Sequence, residues 1–180
     1  MKWLIYLVCA AAVVIIQTNI APRLMIWGGR PEFCFILAVF FGLHRPAHEA
    51  ALAGLILGLT ADLHSVERLG VLTICLGLIS LIVGSIRDYV FTTHPVTHFW
   101  VTMVVTAIAQ SGLLLYAGAT LGYPVDQLGI WMKSVVWTSV YTGLAAVPTM
   151  HVFWRLARWA GMRAARYSHS GIRQIAGQHV

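Results

Sequence analysis

Six apolar runs separated by short polar knots constrain this chain more than any motif in it. The runs are Trp3 to Ile20, Phe33 to Leu43, Ala50 to Leu63, Gly70 to Ile86, Phe99 to Leu121 and Gly129 to Phe153. Charged residues are 10% of the 180, against about 25% in soluble domains. At ~20 residues per span plus short loops, the length accommodates one bundle of about six helices. No stretch remains for a separate soluble domain carrying its own chemistry. The reading is an all-α integral membrane protein, a bundle of about six transmembrane helices.

The first run is long enough to cross a bilayer, and Ala21-Pro22-Arg23 makes a poor cleavage site, so it reads as an anchor that stays. The second and third runs are short. Pro46, within His44-Arg45-Pro46-Ala47-His48-Glu49, separates them and should stop the preceding helix. A re-entrant hairpin would bury Arg45 and Glu49 at its tip, at a cost of about 2.5 kcal/mol or more each. Two tilted or thin-membrane spans are preferred on that ground.

Charge sets the orientation. With both termini cytoplasmic, the inner side holds Lys2, Arg45, Arg87, Arg155, Arg158, Arg163, Arg166 and Arg173, and the outer side Arg23, Arg30, Arg68 and Lys133, as the positive-inside rule requires. Trp3, Tyr6, Trp27, Tyr89, Tyr123, Trp131 and Trp154 fall near run ends, where interfacial belts form. The chain divides into a polytopic membrane domain, 1–154, and a basic cytoplasmic tail, 155–180, expected to be partly disordered. In that tail Arg155, Arg158, Arg163 and Arg166 would face anionic inner-leaflet lipid, at about 1 kcal/mol per near-surface charge. Nothing beyond charge points to nucleic acid.

Against this background Gly54-x-x-x-Gly58-x-x-x-Asp62, followed by Leu69-Gly70, stands out. Spacing by four puts two glycines and a carboxylate on one helical stripe. Glycines there let another helix approach closely, and a carboxylate among apolar residues demands a partner. Asp62 either caps the turn into Gly70, binding backbone amides or Arg68, or offers a site to a cation, a polar ligand or a partner's basic residue. Position at a helix end favours the cap. Gly70, Gly77 and Gly84 recur every seventh residue in the fourth run, a small-residue groove whose default use is packing within the chain.

Polar ladders mark the last two helices: Thr102, Thr106 and Gln110, then Ser134, Thr138 and Thr142. Interhelical hydrogen bonds of roughly 0.6 kcal/mol each account for them; a polar cavity is the sharper alternative. His44 and His48, and His94 and His98, are spaced as metal pairs can be, but each pair flanks a proline and lacks a third ligand at motif spacing. Solvated loop histidines are the simpler reading, and no metal or cofactor is expected. Cys9, Cys34 and Cys75 sit singly in apolar runs and read as small buried side chains. Without a phosphate loop, a His-Glu-x-x-His, a Gly-x-Ser-x-Gly or a nucleophile–base pair, the chain does not read as an enzyme.

The order of features resembles the MreD family of bacterial rod-shape-determining membrane proteins. The resemblance rests on Gln17 in the first span, Arg30-Pro31 before the second run, the Gly54–Gly58–Asp62–Gly70 element, and Pro148 late in the last span. It covers roughly Lys2 to Arg158, and the glycine–carboxylate element is its most specific part. The chain departs from the family in lacking extra glycines before Gly54 and in its longer arginine-rich tail. The resemblance implies a non-enzymatic scaffold of the elongasome in the bacterial inner membrane. It also implies association with MreC, a bitopic protein, and through it with MreB and the cell-wall synthases. A fold like that of the substrate-binding membrane subunits of energy-coupling-factor transporters is implied as well. Gly54, Gly58, Asp62 and Gly70 are the residues expected to shape the key surface, by close approach, a turn and one polar anchor. The alternative function is a solute-binding subunit of a transporter, with the Thr102 and Ser134 ladders lining its cavity.

Overall fold

A computed structural model describes residues 2–25, 29–64, 70–87, 95–121 and 128–159. Among these residues the chain forms six α-helices: α1 (Lys2–Asn19), α2 (Phe33–His44), α3 (Ala47–Asp62), α4 (Val71–Ile86), α5 (Pro95–Leu121) and α6 (Leu128–Trp159). A 3-10 turn, Ala21–Leu24, follows α1. Each expected run is a helix. The largest departure is at the end of α6, which continues six residues past Phe153 through Arg155 to Trp159. Pro148 lies inside that helix. Arg163, Arg166 and the remainder of the basic tail lie outside the described residues, as do Trp27, Arg68, Tyr89, His94 and Tyr123.

α2 is the hub. It touches α1, α3, α4, α5 and α6, and Cys34 through Leu43 are buried without interruption. A helix apolar on every side must be surrounded in this way. α1 presents Tyr6, Ala10, Val13 and Val14 to the interior, and Gln17 continues the same stripe. α3 and α4 form one hairpin and α5 and α6 a second, and α5 and α6 reach the rest of the bundle chiefly through α2 and the segment ahead of it. Ser80 Oγ donates to the Ala38 carbonyl at 3.2 Å, tying α4 to α2.

The outside of the bundle is apolar. Leu4, Leu7 and Val8 on α1, Ile74 and Ile82 on α4, Ile108 and Leu115 on α5, and Ile130 on α6 are all exposed. An apolar surface of that extent marks a face for lipid or for a protein partner. Helix length bears on the expectation of six spans, two of them short. Among the described residues one helix, α5 over Val96–Thr120, is both long and apolar enough to cross a bilayer by itself. At 1.5 Å per residue the 12 residues of α2 reach only ~18 Å.

Arg45 also departs from expectation. Placed among the inner-face charges by sequence, it is buried at the end of α2, its guanidinium 5.6 Å from the centroid of the Tyr6 ring. The packing of α1 on α2 covers it, and the aromatic face takes the place of water.

Candidate functional site

Two buried carboxylates dominate the polar interior, and they are built differently. Asp62 is 1% exposed. Its Oδ2 accepts from the Gly70 amide at 2.9 Å, the Thr73 amide at 2.9 Å and the Thr73 hydroxyl at 2.6 Å. Its Oδ1 accepts from the Leu72 amide at 3.2 Å. The first turn of α4 has amides with no partner inside the helix, and an acidic group there also meets the positive end of the helix dipole. Asp62, the last residue of α3, therefore caps the helix that follows. Gly70 makes this possible: its φ of +100° starts α4 from a left-handed conformation that side chains with a Cβ resist.

The two glycines set the distance at which this cap works. A Cβ on Gly54 would meet the Ser80 hydroxyl, and would lie 2.6 Å from the Leu76 carbonyl. A Cβ on Gly58 would meet the Thr73 backbone, and would lie 2.7 Å from the Leu72 carbonyl. Stepping by four residues along α3, the contact thus moves down α4 from Leu76–Ser80 to Leu72–Thr73 and then to the Gly70 turn held by Asp62. The groove works in reverse too, with Gly77 against Leu55 and Gly84 against Ala47. These small-residue faces are filled by the chain's own helices. Gly70 is the exception, with nothing within 4 Å of a Cβ placed there; its requirement is conformational.

Glu32 carries no signal in the sequence, where it is one acid ahead of one apolar run. In the fold it is 8% exposed and joins α1, the segment before α2, and α6. Gln17 Nε2 donates to Glu32 Oε2 at 2.7 Å, and Arg30 Nε donates to Oε1 at 3.0 Å. The Glu32 amide donates to the Thr142 hydroxyl at 3.1 Å, and the Phe33 amide to Gln17 Oε1 at 2.7 Å. The backbone from Gly29 to Glu32 is non-helical and presses on α6: a Cβ on Gly29 would lie 2.9 Å from the Thr138 nitrogen. Buried non-helical backbone needs partners for its polar groups. Gln17 and Thr142 supply them here, one from each side.

The polar ladders of α5 and α6 turn inward. Thr102, Thr106, Thr138 and Thr142 are buried, whereas Gln110 and Ser134 are partly exposed. The histidines regroup: His44 stacks on His98 across the α2–α5 contact, ring centroids 6.1 Å apart, while His48 is exposed. Among the described residues no group of three or more His, Cys, Asp or Glu side chains is placed to hold a metal.

Comparison with curated proteins and with solved structures gives no match. The family model for rod shape-determining protein MreD matches residues 1–158, a stretch that runs from the start of α1 into the last turn of α6. The chain therefore belongs to the MreD family.

Proposed function

We propose that this chain is a non-enzymatic scaffold of the bacterial inner membrane that binds an MreC-like bitopic protein and helps organise lateral wall synthesis. Family membership supplies the coarser statement, a membrane-associated role in determining rod shape. The observation that carries the finer reading is where the polar atoms are used. Asp62 is bound to the start of α4 and Glu32 to Gln17 and Arg30, which suits groups that hold helices in place. Gly54, Gly58, Asp62 and Gly70 then act on a partner indirectly, by fixing the α3–α4 hairpin whose outer faces are apolar.

In this proposal all six helices cross the membrane with both termini cytoplasmic, and α2 reaches full depth with help from the non-helical segment ahead of it. Residues 1–154 are the membrane domain and 155–180 a basic tail against anionic lipid. MreB and the wall synthases are reached through the MreC-like protein. A fold akin to the substrate-binding subunits of energy-coupling-factor transporters belongs to the same proposal, and an experimental structure would test it.

The functional test is mass spectrometry of what co-purifies with the tagged chain after gentle detergent extraction from its own cells. An MreC-like protein together with wall synthases is the expected result. Recovery of ATPase subunits instead would replace the scaffold with a transporter subunit. Asp62→Ala should reduce complex yield and alter cell width, and wild-type values for both would count against the proposed role of the α3–α4 hairpin.

A further inference from the structure

Thr102 and Thr106 lie on the buried stripe of α5 and are 0% exposed. Among the described residues neither hydroxyl has a hydrogen-bond partner. Several other helical threonines bond back to their own helix: Thr18 to the Val14 carbonyl, Thr120 to that of Tyr116 and Thr149 to that of Ala145. Thr102 and Thr106 do not, so their hydroxyls are left for groups outside their own helix. A buried hydroxyl left unmatched is costly, and two such groups one turn apart describe a polar seam in an otherwise apolar contact.

The register of the α5–α6 hairpin supplies a third group. Gly143 sits against Phe99 and Met103, within 3.2 Å of a Cβ placed on it, so its neighbour Thr142 stands at the height of Thr102. The Thr142 oxygen accepts from the Glu32 amide, which leaves the Thr142 proton to donate. Residues four apart on a helix are ~5–6 Å apart at Cβ. The two hydroxyls do not bond each other, and one oxygen set between them can reach both through hydrogen bonds of ~2.8 Å.

We propose that the seam where α5 meets α6 and α2 is a water-binding site. An ordered water bridges Thr102 and Thr106, and hydration of the seam extends to Thr142. Buried water in proteins takes about two to four hydrogen bonds from polar groups; Thr102 and Thr106 supply two, and the Thr142 proton is available for a further one. The hairpin of α5 and α6 is then joined to α2 partly through solvent that can exchange.

Water-edited solid-state NMR on the full chain in liposomes of bacterial lipid tests this directly. Magnetisation from water should reach the Thr102 and Thr106 side chains faster than it reaches Ala109, which is buried on the same stripe. Thr102→Val should slow transfer to Thr106 to the Ala109 level, whereas Thr102→Ser should preserve it. Transfer to both wild-type threonines no faster than to Ala109 overturns the site, and so does a Thr102→Val variant that leaves Thr106 unchanged. Thermal unfolding gives a second readout: the Thr102→Val, Thr106→Val double variant should melt lower than the corresponding double serine variant. A double valine variant melting above wild type would mean that the hydroxyls were dry, and would also overturn the proposal. If the valine variants do not fold, the wild-type transfer rates decide alone.

Discussion

Asp62 and Glu32 are both buried acids beside the start of a helix, yet one belongs to a local device and the other to a long-range one. The partners of Asp62 lie 8 to 11 residues along the chain, and the hairpin that brings them close is held by glycines four and eight residues before it. Beyond its local pair with Arg30, Glu32 depends on Gln17, 15 residues earlier, and its amide on Thr142, 110 residues later. The first arrangement can form once α3 and α4 meet, because loop closure over so short a distance costs little entropy. The second exists only when α1, α2 and α6 are already together. A carboxylate can therefore serve to start a hairpin or to lock a finished bundle, and the sequence separation of its partners tells which.

Substitutions can separate these two roles. The largest effect should come from Asp62→Ala, which strips acceptors from three backbone amides and a hydroxyl at once and should cost about 3 kcal/mol or more. Reversible unfolding in mixed micelles would measure it. Asp62→Asn keeps one oxygen but turns an amide group toward donors, so it should recover only part of the loss.

Gln17→Leu comes next, at about 2 kcal/mol, because one side chain serves both the Phe33 amide and the Glu32 carboxylate. Hydrogen exchange would show whether the damage spreads differently. Protection should fall at α2 and α6 after Gln17→Leu, and at the start of α4 after Asp62→Ala. The same regional pattern for both variants would erase the distinction between local and long-range devices.

Gly70→Ala should cost about 1–2 kcal/mol from backbone strain alone, since a Cβ there meets nothing within 4 Å. Its effect should shrink when Asp62 is already alanine, because both act on one turn. Combined with Gln17→Leu it should add independently, as sites without shared partners do. The smallest effect is that of Thr142→Val, about 1 kcal/mol for one lost acceptor. A double-mutant cycle of Gln17→Leu with Glu32→Ala should give a coupling of about 0.5–3 kcal/mol, and a coupling of zero would deny that the knot acts as a unit.

The helices were legible because their cause is local. Apolar runs of sufficient length, a proline at 46 and a glycine at 70 each act on their own stretch of backbone. The stripe of Gly54, Gly58 and Asp62 was legible for the same reason, since a spacing of four already states a shared face. What that face meets was readable only as alternatives, a cap or a ligand site. The fold resolves the geometry in favour of the α4 amides, because the antiparallel approach set by the two glycines delivers them to the carboxylate.

Glu32 and Arg45 were misjudged or missed for the opposite reason. Nothing near Glu32 in the chain differs from any acid ahead of an apolar helix, and its partners are specified by the packing of α6. Arg45 reads as a loop charge until α1 places the Tyr6 ring beside it. The inward turn of Thr102 and Thr106 falls between these cases: the shared face is visible in the spacing, but its burial against the bundle is not.

By itself, then, the sequence determined the helical class, the order and approximate ends of the helices, and the shared face of Gly54, Gly58 and Asp62, all through periodicity and short-range backbone preference. Only the tertiary structure decided that α2 is enclosed on every side, that a non-helical segment is tolerated beside it, and that Gln17, Glu32 and Thr142 form one knot. Those outcomes depend on which distant surfaces meet, and in a chain this uniformly apolar many surfaces could meet until a few polar groups require particular partners.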